Sequence, residues 1–413
     1  MIGYYSNELS KALIIMKLHP EIVAQQTELM RIRHDLHAHP ELCFAEQRTA
    51  DLIAAQLTQW GITVHRGLGI TGVVGTLTGS AGHSQRAIGL RADMDALPLE
   101  ERNTFAHRSK HPGKMHACGH DGHVTMLLGA AHYLSQHRHF CGQVHFIFQP
   151  AEEHGGGAHE MIKAGLFELF PCDAVFALHN WPGMPAGCFG VRTGAMMASS
   201  NEFKITLTGR GAHAALPHNG ADPLFAACQI ALGLQSIITR NKCPTDAAVL
   251  SITQMHGGDT SNIIPEQAWL AGTVRTFDVP TLNLIEQRLR DIATHTAAAH
   301  QCRADIQFDR NYPPTINHPR ETALAIDVMR TIIAAENIIT DVPPTMGAED
   351  FSFMLQEKPG CYIFIGNGEG EHRQIGHGEG PCMLHNPSYD FNDDIIALGA
   401  TFWTQLVKAY LKN

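Results

Sequence analysis

The first strong periodicity lies between Pro20 and Trp60. Ile22, Leu29, Ile32 and Leu36 recur there at three- and four-residue spacing, a helical pattern that Pro40 interrupts. Short β-branched runs follow at Ile62–His65, Gly72–Leu77 and Arg86–Leu90. Leu127–Leu134 reads as helix, Val144–Phe148 as a buried strand, Glu160–Ala164 as helix and Ala174–Leu178 as strand. Strands alternating with helices predict a largely parallel α/β sheet.

The pattern changes near residue 200. Phe203–Leu207 alternates like a half-exposed strand, Pro223–Thr239 is helical, and Ala248–Met255 and Ala268–Thr276 are strands. A long helix over Leu282–His300 and a strand over Ala304–Phe308 complete a β-α-β-β-α-β order, the ferredoxin-like motif. Pro313 and Pro314 mark the return to the first pattern. These elements predict a large α/β domain, 19–195 and 312–413, with a smaller α+β domain, 196–311, inserted in it.

A chain of 413 residues suits two such domains, and 44% hydrophobic against 17% charged residues leaves ample material for two cores. The net charge is 30 − 40 = −10, with no basic run, which disfavours nucleic acid and anionic membranes as partners. No apolar stretch reaches the ~18 residues that a membrane span needs. The ten cysteines form no C-x-x-C pair, a usage that fits a reducing cytoplasm. Residues 1–15 read as an extension, with Met16 as a possible natural start.

Two features distract. Gly67–Gly72 matches G-x-G-x-x-G, but strand-like residues follow it, so a hairpin turn is expected rather than a dinucleotide site. His34, His37 and His39 are expected to be solvated or to cap an early helix. With 27 histidines in the chain, only clustered ones carry weight.

One stretch does cluster. His116, Cys118, His120, Asp121 and His123 precede or open a helix, with Asp121 expected as its N-cap and Cys118 and His120 in the loop before it. A buried strand runs into Glu152-Glu153, and adjacent like charges at a strand end call for a cation. His179 ends another strand and His385 lies near the C-terminus. Cys118, His120, Glu153, His179 and His385 exceed the four positions of a tetrahedral site, so two metals a few ångströms apart suit them better. Asp95 follows a strand and can orient a ligand.

In this order the pieces resemble the M20 metallopeptidase family, and within it the amidohydrolase branch that acts on N-acyl amino acids and hippurate. The motifs are R-A-D-M-D-A-L-P (91–98), H-A-C-G-H-D-G-H (116–123), Q-P-A-E-E (149–153), A-L-H-N (177–180), G-R-G-A-H-A-A-L-P-H (209–218), G-A-E-D-F (347–351) and L-H-N-P (384–387). The resemblance implies a zinc-peptidase-like catalytic domain carrying an inserted ferredoxin-like lid and dimerisation domain. It implies two divalent ions per subunit, Zn or Mn with Co or Ni admissible, held by Cys118, His120, Glu153, His179 and His385. Glu152 matches the general base, and Asp95 the aspartate that orients a ligand. Related branches have a histidine where this chain has Asp93, and Cys118 supplies the missing ligand. His116 and His123 fall outside the ligand set. His213 matches the residue that polarises the scissile carbonyl, and Asn262 and Arg275 those that meet the substrate carboxylate. Glu349 and Asp350 either line the site or cap the following segment.

The resemblance therefore implies a homodimeric hydrolase that splits N-acyl or N-aroyl amino acids, and the cysteine usage fits a cytoplasmic location. An N-acetyl-diaminopimelate deacetylase, a dipeptidase and a non-catalytic metal or small-molecule binder are the alternatives.

Overall fold

A computed structural model describes residues 16–82, 84–373 and 375–412, so the expected extension over 1–15 lies outside the described residues. The chain divides into two compact units. The first comprises residues up to Gly194, Asn317–Val342 and Met354 onward; the second comprises Ala195–Ile316 and Pro343–Phe353. The second unit thus takes in an eleven-residue return segment, 343–353, that periodicity assigned to the first.

In the first unit the early periodic region is not one helix. It forms α1 (Pro20–Ala24), α2 (Gln26–Ala38) and α3 (Gln47–Gln59). The break after α2 comes at His39, immediately before Pro40, as the proline's steric demand on its predecessor requires. An antiparallel hairpin follows, β1 (Thr63–Leu68) and β2 (Gly72–Thr78), with Leu68 opposite Gly72. The G-x-G-x-x-G stretch is therefore a turn, as expected.

Strands β3 (Ala87–Asp93), β4 (Gln143–Gln149) and β5 (Ala174–Pro182) form the parallel centre, with helix α4 (His120–Gln136) between β3 and β4. The full sheet runs β1-β2-β4-β3-β5 and continues through Gly360–Gly368, Phe189–Gly190 and Ile338–Ile339. β3 is buried at every position, the continuous pattern of a strand covered on both faces. In register, Asp93 sits beside Gln149. The loops after β3 and β4 and the far end of β5 thus open at one edge, the carboxyl ends where α/β sheets place ligands.

The second unit has its own core and a four-stranded antiparallel sheet in the order Ala248–Gly257, Gln267–Thr276, Ser200–Thr208, Arg303–Tyr312. Helices Pro223–Ser236 and Val279–Ala299 pack on it, each started by an aspartate cap, Asp222 and Asp278. Both the order of elements and the order of strands are ferredoxin-like. Ser200–Thr208 alternates buried and more exposed positions, which is why its sequence alternates.

One core histidine sets a pH dependence. His145 on β4 is buried, with Nδ1 at 3.0 Å from Thr76 Oγ1 and Nε2 at 3.2 Å from the Pro171 carbonyl. Burial lowers its pKa from 6.5 to about 4. Between those values the unfolded chain binds a proton that the native chain refuses, so stability is lost as pH falls through that window. The group's share is on the order of 3 kcal/mol. His145→Gln, which cannot titrate, is expected to flatten the acid limb of a stability–pH curve between about pH 6.5 and 4 relative to the parent. Parallel curves for the two proteins would contradict this assignment.

Candidate metal centre

The site is built at the ends of β3, β4 and β5. Gly119 precedes α4 with φ +92°, and a Cβ there would run into Asn180 Oδ1 and Tyr389 Oη. The helix accordingly starts at His120, two residues earlier than expected, and Gly119 rather than Asp121 holds the N-cap position. Asp121 lies in the first turn, with its carboxylate turned to His37 at 2.8 Å.

Backbone carbonyls orient two imidazoles. His120 Nδ1 donates to the Asp95 carbonyl at 2.9 Å, and His179 Nδ1 to the Asn180 carbonyl at 2.7 Å. Each ring therefore turns its Nε2 to the centre. His179 Nε2 is 3.4 Å from Cys118 Sγ. His120 Nε2 is buried without a hydrogen bond and lies 3.6 Å from Asp93 Oδ2 and 3.9 Å from Glu153 Oε1. On the other side of Glu153 Oε1, His385 Nε2 stands at 3.2 Å. His385 has φ +61°, and its amide is tied to the Ala117 carbonyl at 2.8 Å.

The acidic pair hangs on Asp95. Its two carboxylate oxygens accept the amides of Glu152 and Glu153, each at 3.1 Å. One aspartate thus orients His120 through its carbonyl and the glutamates through its side chain.

Two overlapping groups result. Cys118, His120 and Glu153 offer ligand atoms within 4.8 Å of one another, and so do Asp93, His120, His123 and His179. The structure therefore gathers Cys118, His120, Glu153, His179 and His385 around one centre, with Glu152 adjacent. It also brings in Asp93 and His123, which sequence reasoning left out. His123 Nδ1 meets Asp93 Oδ1 at 2.6 Å, and Arg91 donates to Asp93 Oδ2 at 2.8 Å. The signal was the i, i+3 spacing of His120 and His123, which puts both rings on one face of α4.

The electrostatics ask for a cation. Burial, then Glu153, Glu152 and Asp93, push the Cys118 thiol far up. Burial opposes the His120 imidazolium, yet Asp93, Asp95 and Glu153 outweigh it and raise its pKa to about 10. Burial and His123 hold His179 neutral. A divalent ion held by Cys118, His120 and Glu153 would offset the penalty on the thiolate and would take the place of a proton on His120. Thiolate, imidazole and carboxylate donors with an orphaned ring nitrogen aimed among them fit such an ion.

His37 is not a surface histidine. It is fully buried, with Nδ1 on Asp121 and Nε2 at 3.2 Å from Glu101, and these carboxylates overcome burial to raise its pKa to about 10. His34 pairs with Asp393 at 2.8 Å and His39 bonds its own helix at the Asp35 carbonyl. His39 is also the C-cap residue of α2, its amide donating to the Leu36 carbonyl at 3.0 Å, so the capping expectation holds for His39 and fails for the buried His37.

The remaining predicted residues belong to the second unit. His213 lies on a two-stranded ribbon opposite Ile263, and the Asn262 carbonyl accepts the Ala214 amide at 3.0 Å. His213 Nδ1 accepts the Ala215 amide at 3.0 Å, which leaves Nε2–H as an exposed donor. Arg275 is half-buried on Gln267–Thr276 across from Val249. Glu349 accepts the Phe351 amide at 2.9 Å and so caps the helix Phe351–Glu357.

A sequence profile for peptidase family M20/M25/M40 matches residues 89–409, which include every residue of this centre. The chain belongs to that family. It is a hydrolase, 41% identical to the hippurate hydrolase of Campylobacter jejuni over 96% of this chain and 100% of that protein. It is 37% identical to the N-acetyl-L-cysteine deacetylase of Bacillus subtilis, covering 94% of this chain and 89% of the other. A dinuclear metal-binding peptidase of the M20 family from Bacillus subtilis superposes with a TM-score of 0.81 at 31% identity, covering 94% and 99% of the two chains.

Asp95→Asn keeps one amide acceptor and sets an NH2 group against the other amide. It is expected to weaken Zn2+ binding by about 10–100-fold, read by competition with a chromophoric chelator. Unchanged affinity would contradict the clamp.

Proposed function

We propose that this M20 hydrolase cleaves the amide bond of N-acyl or N-aroyl amino acids, releasing a carboxylic acid and a free amino acid. The observation that carries the reading is the acidic pair: Asp95 fixes two adjacent glutamates beside the Cys–His cluster. Glu153 faces His120 and His385 as a ligand. A binding protein needs no second carboxylate at that point, whereas a hydrolase needs a base.

Cys118, His120, Glu153, His179 and His385 would hold two divalent ions, Zn or Mn by donor type, with Co or Ni also compatible. Bound there, the ions supply Lewis acidity for the amide carbonyl and make water nucleophilic at neutral pH. Glu152 takes the proton from the attacking water and returns it to the leaving nitrogen as the C–N bond breaks. His213, with Nε2–H free to donate, has the tautomer needed to stabilise the developing oxyanion. Asn262 and Arg275 carry over from the family motif as partners of the substrate carboxylate, for which a planar guanidinium is suited.

Glu152→Gln is expected to lower kcat by about 10²–10⁴-fold with metal content unchanged. Turnover equal to the parent's would sink the mechanism. Release of free amino acid from hippurate, N-acetyl amino acids, N-acetyl-diaminopimelate and dipeptides separates the amidohydrolase from the deacetylase and dipeptidase readings.

The same reading includes a homodimer through the inserted domain. Ala248–Gly257 is an edge strand of the second unit's sheet, and exposed Leu232 (71%), Phe225 (52%) and Met255 (38%) lie on that edge strand and on the helix Pro223–Ser236. Light scattering is expected to find two chains per particle, and one for Leu232→Glu combined with Met255→Lys. A monomeric parent would overturn the assignment. A cytoplasmic location agrees with ten cysteines that are all unpaired.

A further inference from the structure

We propose that Glu46 is a positioning residue for the Glu152–Glu153 pair, its buried carboxylate holding Ala151 in the left-handed conformation that aims both glutamates. The proposal rests on the roles given above to Glu152 and Glu153.

Five non-glycine residues among those described have positive φ. One is His385. Three of the other four, Phe44 (+58°), Ile70 (+80°) and Ala151 (+52°), surround Glu46. Glu46 Oε1 accepts the amides of Phe44 at 3.0 Å and Ala151 at 2.9 Å. Its Oε2 accepts the hydroxyl of Thr71, the residue after Ile70, at 2.6 Å. Left-handed backbone is unfavourable for L-residues and persists only where its surroundings over-determine it. Here one carboxylate bonds three chain segments at once, two of them through the amide of the left-handed residue itself.

The carboxylate is not engaged in local capping. Glu46 occupies the N-cap position of α3, yet its side chain makes no capping bond. Glu41 serves the helix instead, taking the amides of Arg48 at 3.0 Å and Thr49 at 2.8 Å. Glu46 is left to reach 105 positions along the chain to Ala151. Three consecutive amides, of Ala151, Glu152 and Glu153, therefore end on two buried carboxylates, Glu46 and Asp95. Asp95 fixes the second and third; Glu46 fixes the residue whose φ sets the direction of both.

The test compares the parent with Glu46→Ala, Glu46→Gln and Glu46→Ala combined with Ala151→Gly, by Zn2+ affinity, kcat, KM and thermal unfolding. Glu46→Ala is expected to bind Zn2+ about 10–100-fold more weakly and to lose about 100-fold in kcat with little change in KM. Glu46→Gln keeps an acceptor for both amides and is expected to restore most of each loss. Glycine at 151 adopts the left-handed conformation without a clamp, so the double variant is expected to regain part of the kcat lost by Glu46→Ala. A Glu46→Ala protein that melts earlier but keeps the parent's Zn2+ affinity and kcat overturns the proposal. Should that variant not fold, Glu46→Asp withdraws the acceptor by one methylene and must show the same losses. If the parent cleaves no N-acyl amino acid, the functional reading fails separately, and Zn2+ affinity alone decides the role of Glu46.

Discussion

The carboxylate of Asp95 joins the three parts of the centre. It lies just past the end of β3, receives the amides of the two glutamates that follow β4, and lends its carbonyl to the histidine that opens α4. That bridge ties the loop after β4 directly to the segment that leads into α4. The parallel sheet brings these loops to one edge; the aspartate sets their register to within a hydrogen bond. Orientation on that scale separates a cluster of polar residues from a metal centre with a working base.

The negative charge gathered here has to be balanced inside the protein. Asp93 is answered by Arg91 and His123. Behind the ligand loop, the fully buried Arg33 meets Asp393 at 2.8 Å, Asp390 at 3.1 Å and Asp121 at 3.6 Å. His37 completes the set through Asp121 and Glu101. Asn180, next to His179, donates to Tyr389 Oη at 2.6 Å, so the C-terminal loop that carries His385 is tied to the end of β5. Ion pairs this deep are weak evidence for stability, because desolvation offsets much of their attraction. Breaking one, however, leaves an uncompensated buried charge. That asymmetry gives each ligand-bearing segment one strongly preferred position.

Much of this was legible before any coordinates. Apolar spacing located most helices and strands up to residue 308, because packing against a core imposes periods of 3.6 and 2; Pro319–Ile332, Gly360–Gly368 and Ile396–Tyr410 were not placed by it. Alternation along Phe203–Leu207 marked a sheet with one covered face. Short motifs at strand ends and a helix start named Cys118, His120, Glu153, His179 and His385, where a few neighbours fix the local geometry, but left out Asp93 and His123. Errors fell where local patterns end. Pro20–Trp60 reads as one amphipathic region and is three helices. Asp121 has a capping residue's chemistry, but Gly119 takes the turn because a side chain there would strike Asn180 and Tyr389.

By itself, then, the sequence determined which elements form, the order of the two domains, and the donor chemistry carried to one edge of a parallel sheet. Only the tertiary structure decided which charges meet. His37 finds Asp121 across 84 positions, and Glu46 finds Ala151 across 105. Periodicity reports whether a face is buried, since burial acts on every residue of that face. It cannot report the partner of a buried charge, since that depends on a single contact between segments that share no local pattern.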